Sequence, residues 1–157
     1  MIAYRLTSSM ERVIFDDAVI GCFAANRQLD ARSPESGGQL FARLDPPNVF
    51  VTRATEPKKQ DRRRRFSFWP SRHSERLEIM HMHGRGLHYV GDWHTHPEPR
   101  GWPSTRDLQS IGETVRLSKH RLGGFLLVVV GREAPPEGLT VHLHDGATAH
   151  LLQPEET

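Results

Sequence analysis

The sequence predicts a single α/β domain, and three observations support this class. At 157 residues the chain can build one hydrophobic core, and its hydrophobic and charged contents are those of an ordinary globular protein. Stretches with helical spacing are interleaved with short stretches typical of strands. One of these, 125–130, is a continuous apolar run of strand length, which predicts a central strand buried on both faces.

The first third of the chain predicts a helix and then a hairpin. Ser8 and Glu11 have capping-box spacing, and the apolar residues that follow recur with helical periodicity, which predicts a helix over 8–29. Residues 39–44 and 49–55 are rich in apolar and β-branched side chains. We expect these two ranges to form strands joined by a proline-containing turn.

The rest of the chain predicts two further helices and four strands. The helices are expected at 71–82 and 105–119, and the strands at 87–93, 125–130, 139–144 and 147–152. Asp145-Gly146 is a typical tight turn between the last two strands. The domain is therefore expected to span residues 1–152, with a frayed C-terminal tail at 153–157.

The charge of the chain is concentrated in one segment. The net charge is +2, but residues 58–65 contain six basic residues and one acidic residue, which leaves 15 basic and 18 acidic residues elsewhere. A near-neutral domain with one basic segment argues against a nucleic-acid binder, in which basic residues are spread along a face. The segment is a solvated loop, a flap that grips an acidic protein surface, or a nucleic-acid contact with the aromatic residues that follow.

The sequence contains no signal for a membrane or an oxidising compartment. No apolar run approaches the roughly 20 residues needed to span a bilayer, and the N-terminus has no apolar core of a signal peptide. Cys22 is the single cysteine, so an intrachain disulfide is excluded, and it lies on the apolar stripe of the first predicted helix. A cytoplasmic protein without a membrane partner is expected.

The strongest functional pattern follows the strand predicted at 87–93. His94 and His96 stand one residue apart, so on a strand both imidazoles would leave the same face. Ser104 and Asp107 follow where a helix should begin. Two imidazoles and a carboxylate, with one position left for water, form a typical catalytic zinc site. Two other His-x-His pairs occur in the chain, and neither is followed by Ser and Asp at these positions.

This pattern resembles the signature of the JAMM, or MPN-plus, zinc metalloproteases. Their motif is His-x-His-Pro, with Ser-x-x-Asp beginning eight residues after the second histidine, and an upstream Glu-[Ser/Thr]-Gly-Gly that is similar to residues 35–38. Taken alone, Glu35 would be a solvated loop residue. The resemblance implies instead that Glu35 is the catalytic acid/base. It also implies an MPN/JAB-type domain, a curved mixed sheet flanked by helices with the layering of cytidine deaminases.

The resemblance implies the chemistry of amide hydrolysis around one catalytic Zn²⁺. His94, His96 and Asp107 would bind the ion, Glu35 would move the proton from water to the leaving amine, and Ser104 would donate a hydrogen bond to the oxyanion. Glu98 is a rival base, but its proline-flanked loop favours a solvent-facing role.

The resemblance extends to small bacterial members found with E1- and E2-like proteins in anti-phage operons. It implies a protein substrate, the C-terminal tail of a ubiquitin-like protein or of a conjugated cyclase, and E1/E2-like partners. Two alternatives lie in the same superfamily: a peptidase that processes a sulfur-carrier protein, and a DNA-associated JAB-domain protein. A catalytically silent scaffold is disfavoured because silent members lose metal ligands, and here all of them are present.

Overall fold

The computed structural model describes residues 1–58, 61–65, 67–120 and 122–156. Residues 59 and 60 of the basic segment, Phe66, Arg121 and Thr157 lie outside the described residues. None of the helices in these ranges is long and apolar enough to cross a bilayer. The elements in chain order are β1 Ile2–Arg5, β2 Arg12–Phe15, α1 Asp17–Ala25, β3 Gly37–Asp45, β4 Asn48–Ala54, β5 Arg62–Arg64, β6 Ser67–Trp69, α2 Arg72–Gly84, β7 His88–Thr95, α3 Thr105–Leu117, β8 Phe125–Val130, β9 Leu139–His144, β10 Ala149–Leu151 and β11 Gln153–Pro154.

A mixed sheet organises the described part of the chain. Its strand order is β10-β9-β8-β7-β3-β4-β2-β1-β11, while β5 and β6 pair in a separate hairpin. The pairs β2–β4 and β7–β8 are parallel, and the other pairs in the large sheet are antiparallel. Helices pack against it: α1 contacts β4, α2 contacts β7, and α3 contacts β8 and β9. The predicted α/β class, with a curved mixed sheet flanked by helices, is confirmed.

The two faces of β8 belong to two different cores. Successive side chains of a strand point to opposite faces, so three of its residues can pack with α1 and three with α3. The residues that join the core with α1 are Leu126, Val128 and Val130. The residues that join the core with α3 are Phe125, Leu127 and Val129. All six side chains are buried, which confirms the prediction of a central strand covered on both faces.

The N-terminal region differs from the prediction of one long helix. Residues before Asp16 form the hairpin β1–β2, and α1 begins only at Asp17, with the Asp16 side chain accepting a hydrogen bond from the Val19 N–H. The run Val13-Ile14-Phe15 favours a strand, and β4 lies parallel to it as a partner. The helix predicted over 8–29 therefore forms only over Asp17–Ala25. Its predicted first part is a strand instead, because the pairing of β2 with β4 outweighs the local helical pattern.

The C-terminal tail also differs from the fraying that the sequence predicts. The Gln153–Pro154 strand pairs with β1, and the Glu155 N–H donates to the Ala3 carbonyl. The carboxylate of Glu155 then accepts hydrogen bonds from the Arg12 guanidinium at 2.6 and 2.8 Å. These contacts tie the end of the chain to the outer edge of the sheet.

A β-bulge in β7 determines which way the following residues point. Leu40 pairs with Gly91 and Phe41 with Tyr89, so the residue between Tyr89 and Gly91 has no partner on β3. Gly91 has a φ of 150°, and a Cβ there would lie 2.0 Å from the Leu126 carbonyl oxygen, so only glycine fits. After the bulge, Trp93 packs in the core with α1. The next residue therefore faces α3.

Candidate metal centre

Three side chains from β7, the loop after it and α3 converge on one point. The Nε2 atoms of His94 and His96 lie 3.2 Å apart. The Oδ2 atom of Asp107 lies 3.1 Å from Nε2 of His94 and 3.3 Å from Nε2 of His96. The structure thus brings together the two imidazoles and the carboxylate that the spacing predicted on a strand and a following helix.

The N-terminal cap of α3 orients the Asp107 carboxylate. Ser104 Oγ accepts a hydrogen bond from the Asp107 N–H at 3.1 Å, and Asp107 Oδ2 accepts one from the Ser104 N–H at 2.8 Å. This reciprocal pair is a capping box. Burial raises the pKa of Asp107, but hydrogen bonds from His94 and His96 outweigh it and hold the pKa well below its ordinary value. The group is therefore a charged carboxylate aimed at the two imidazoles.

Glu35 is the fourth member of the cluster. A carboxylate oxygen of Glu35 lies within 4.8 Å of a ring nitrogen of both His94 and His96, and the residue is only 5% exposed. Burial raises the pKa of Glu35 to about 7, against a smaller lowering by His96 and with a further increase from Asp107. A carboxyl group with a near-neutral pKa can both accept and return a proton at neutral pH.

The β5–β6 hairpin holds the backbone of Glu35. The Glu35 N–H donates to the Arg64 carbonyl, and Arg63 Nε donates to the Glu35 carbonyl at 3.1 Å. Arg63 Nη2 also donates to Ser36 Oγ at 2.6 Å. The sequence predicted a basic segment here but not this contact. One end of the segment is therefore a structural support for the glutamate.

The glycine pair after Ser36 allows β3 to reach the histidine strand. Gly37 pairs with His94 across the sheet. A Cβ on Gly37 would lie 2.8 Å from the Phe68 ring and from the Trp93 carbonyl oxygen, and one on Gly38 would lie 2.0 Å from the carbonyl oxygen of Thr55. Larger residues would push the strand away, so the pair fixes Glu35 beside the imidazoles.

All five predicted site residues line one cleft of about 380 Å³. Ser104 is exposed and lies at the N-terminus of α3, where its oxygen accepts the capping hydrogen bond and its hydroxyl hydrogen remains available to a ligand. Glu98 lines the same cleft but is exposed, in agreement with the solvent-facing role predicted for it. No sequence pattern indicates Gln28, a buried residue whose amide oxygen accepts a hydrogen bond from the hydroxyl of Thr95, which lies between the two histidines.

Paired histidines and two carboxylates that meet at a cleft of a mixed α/β fold define a JAB-type metal-dependent hydrolase. The chain belongs to the family described as prokaryotic homologs of the JAB domain, whose model matches residues 23–143.

Named relatives agree with this assignment. A CD-NTase/cGAS isopeptidase of Vibrio cholerae serotype O1 is 31% identical over 124 residues, which cover 77% of this chain and 77% of that protein. A probable metalloprotease, y4qB, of Sinorhizobium fredii is 35% identical over 55% of this chain and 56% of that protein. The solution structure of protein DSY2949 from Desulfitobacterium hafniense shares the fold, with a TM-score of 0.58 and 19% identity over 92% of this chain and 90% of that one.

Proposed function

We propose that this protein is a zinc-dependent isopeptidase that reverses E1/E2-type conjugation in bacterial antiviral defence. Its substrate would be the amide bond after the C-terminus of a ubiquitin-like protein or a conjugated cyclase. The observation that carries the proposal is the convergence of His94, His96 and Asp107 within 3.3 Å, beside the buried carboxyl of Glu35. The CD-NTase/cGAS isopeptidases among the relatives support the substrate class.

The spacing of the donor atoms supports zinc as the metal. Ligand atoms at 2.0–2.1 Å from a tetrahedral ion lie about 3.3–3.4 Å from one another. The three distances among His94, His96 and Asp107 are 3.1, 3.2 and 3.3 Å, close to the edges of such a tetrahedron. Calcium prefers oxygen ligands in larger number and at greater distance, whereas two imidazoles with one carboxylate form the ligand set of known catalytic zinc sites.

The surrounding residues supply the acid–base chemistry of amide hydrolysis. Bound zinc would supply a Lewis acid for the scissile carbonyl and lower the pKa of water toward neutrality. Glu35 would accept the proton from the attacking water on its carboxylate and deliver it to the leaving amine. The Ser104 hydroxyl would donate to the carbonyl oxygen as negative charge develops there.

The direct test is cleavage of a defined conjugate. A CD-NTase-type cyclase or a ubiquitin-like protein would be joined through its C-terminus to a reporter and incubated with the purified protein. Cleavage at the junction is expected, with loss after chelation and recovery when Zn²⁺ is restored. Absence of cleavage, or cleavage that a chelator leaves unchanged, would refute the proposal.

Replacing Ser104 with alanine should lower kcat by about 10²–10³-fold, because one oxyanion donor typically contributes about 3 kcal/mol. The same change should lower the free energy of unfolding by about 1 kcal/mol through loss of the helix cap. Cleavage kinetics and urea unfolding would measure the two effects separately.

Asp16→Ala is the matched control for Ser104→Ala, because Asp16 caps α1 with the same type of hydrogen bond. It should show the loss of stability without the loss of kcat. Equal kinetics in the two variants would leave Ser104 with a capping role only.

Replacing Arg62 and Arg64 together with serine should raise KM by roughly 5- to 30-fold, because each exposed charge contributes about 0.5–1 kcal/mol to binding an acidic surface. Both arginines are exposed on the hairpin that holds Glu35. Zinc content should not change. The control double variant, Arg43→Ser with Arg85→Ser, removes two exposed charges elsewhere. A KM that is the same in both double variants would exclude the hairpin from substrate binding.

A further inference from the structure

A buried amide connects three separate segments around the candidate metal centre. Gln28 lies just after α1 and is 1% exposed. Its Nε2 donates to the Ser33 carbonyl at 3.1 Å and to the Arg65 carbonyl at 2.7 Å. Its Oε1 accepts from the Thr95 hydroxyl at 2.8 Å. Both amide hydrogens and the amide oxygen are used, so the side chain has one orientation that satisfies it.

The Thr95 hydroxyl, which donates to Gln28, is also hydrogen-bonded to Ser36, the residue after Glu35. Thr95 is fully buried and lies between the two histidines. Its Oγ1 accepts from the Ser36 N–H at 2.9 Å, and its own N–H donates to the Ser36 carbonyl at 2.9 Å. A continuous chain of hydrogen bonds therefore runs from Gln28 through Thr95 to Ser36.

We propose that Gln28 is a positioning residue for the acid/base Glu35; this inference rests on the proposed function. The amide holds the loop before Glu35 at Ser33 and, through Thr95, the backbone after it at Ser36. It also holds the Arg65 carbonyl at the end of β5, next to Arg64, whose carbonyl accepts a hydrogen bond from the Glu35 N–H. A shift of the glutamate relative to the histidines would break at least one of these bonds.

The geometry distinguishes this role from simple support of the core. The bonds of Gln28 all end on segments that flank Glu35 or on the hydroxyl that faces away from His94 and His96. None of them reaches Asp107, whose position depends on the cap of α3. Loss of the amide should therefore displace the acid/base while leaving the three metal-facing atoms in place. A displacement of about 1 Å at a reacting group can lower turnover about 10²-fold.

The test is Gln28→Met, which keeps the length of the side chain and removes its polar atoms. With the reporter conjugate, kcat should fall 10- to 100-fold, while KM and the Kd for Zn²⁺ should each stay within about threefold of the wild type. Amide hydrogen exchange in a peptide covering 33–38 should become at least tenfold faster. An unchanged kcat and unchanged exchange would overturn the inference. A loss of zinc affinity as large as the loss of kcat would also overturn it.

A second pair of variants gives the same test if Gln28→Met does not fold. Thr95→Val removes the hydroxyl at constant shape, whereas Thr95→Ser keeps it. Valine should reproduce the loss of kcat and the faster exchange, and serine should restore most of both. Thr140→Val is the control, because Thr140 is equally buried and donates to the Gly101 carbonyl rather than to the Gln28 amide. Equal loss of kcat in all three variants would refute the inference.

The exchange measurement separates failure of this inference from failure of the proposed function. If the wild-type protein does not cleave the conjugate, the proposed function fails. The faster exchange of the 33–38 segment in Gln28→Met is still expected in that case, because it reports the hydrogen bonds of Gln28 directly. Unchanged exchange would overturn the positioning role whatever the substrate.

Discussion

The Glu35→Gln variant should lose about 10³-fold in kcat and keep one Zn²⁺ per chain. The amide has the shape of the carboxylate but cannot accept the proton of the attacking water, and general acid–base catalysis contributes about 10²–10⁴-fold. Because His94, His96 and Asp107 are the expected ligands and remain unchanged in this variant, zinc binding should persist. Kinetics on the conjugate and metal analysis of the same preparation would measure both. Turnover within tenfold of the wild type would remove Glu35 from the mechanism.

The stability of the metal-free proteins gives an independent control on Glu35. Burial raises the pKa of this group from 4.5 to about 7, so between these values the native state holds a proton that the unfolded chain has released. The free energy of unfolding of the wild type therefore decreases across this window, by up to about 3 kcal/mol, and the full decrease is present above pH 7. Glutamine does not titrate, so the free energy of unfolding of Glu35→Gln should rise relative to that of the wild type between pH 5 and pH 8. Urea unfolding in the presence of a chelator would measure this difference. A constant difference between the two proteins would contradict a buried, protonated carboxyl.

Local sequence patterns were sufficient to predict the residues around the histidines. His94 and His96 share a face because they are two residues apart in an extended segment, and Asp107 follows at the start of a helix that Ser104 caps. These relations depend on neighbours within about a dozen residues. The continuous apolar run of β8 was equally informative, because a strand buried on both faces needs no polar positions.

Relations between distant segments could not be predicted in the same way. Glu35 reaches the histidines only because Gly37 pairs with His94 on a neighbouring strand, and a family resemblance was needed to select it among the glutamates. The predicted start of the first helix was wrong because residues of β2 pair in parallel with β4. Gln28 carries no local pattern: its three partners come from segments 5, 37 and 67 residues away.

Replacing a metal-facing residue should abolish activity together with metal binding. For His96→Ala, we expect no specific zinc in the purified protein and no measurable cleavage, because a site with one imidazole and one carboxylate is incomplete. For Asp107→Asn, the Kd for Zn²⁺ should rise about 10²–10³-fold if the roughly 10–16 kcal/mol typical of a zinc site is shared among its ligands. The asparagine oxygen can still accept the Ser104 N–H, so α3 should keep its cap. Competition with a chromophoric chelator would measure both variants against the wild type.

The comparison of Asp107→Asn with Glu35→Gln decides which carboxylate binds the ion. Both acids lie close to the two imidazoles, and the Asp107 oxygen lies 3.1 Å from Nε2 of His94 and 3.3 Å from Nε2 of His96. Ligand atoms of one tetrahedral ion lie about 3.3–3.4 Å apart, so the Asp107 oxygen fits as the third ligand, and Glu35 keeps the role of acid/base that the family resemblance implies. Zinc affinity should therefore fall in the first variant and stay unchanged in the second. The opposite result would exchange the two roles, because the carboxylate that binds zinc cannot also serve as the free base.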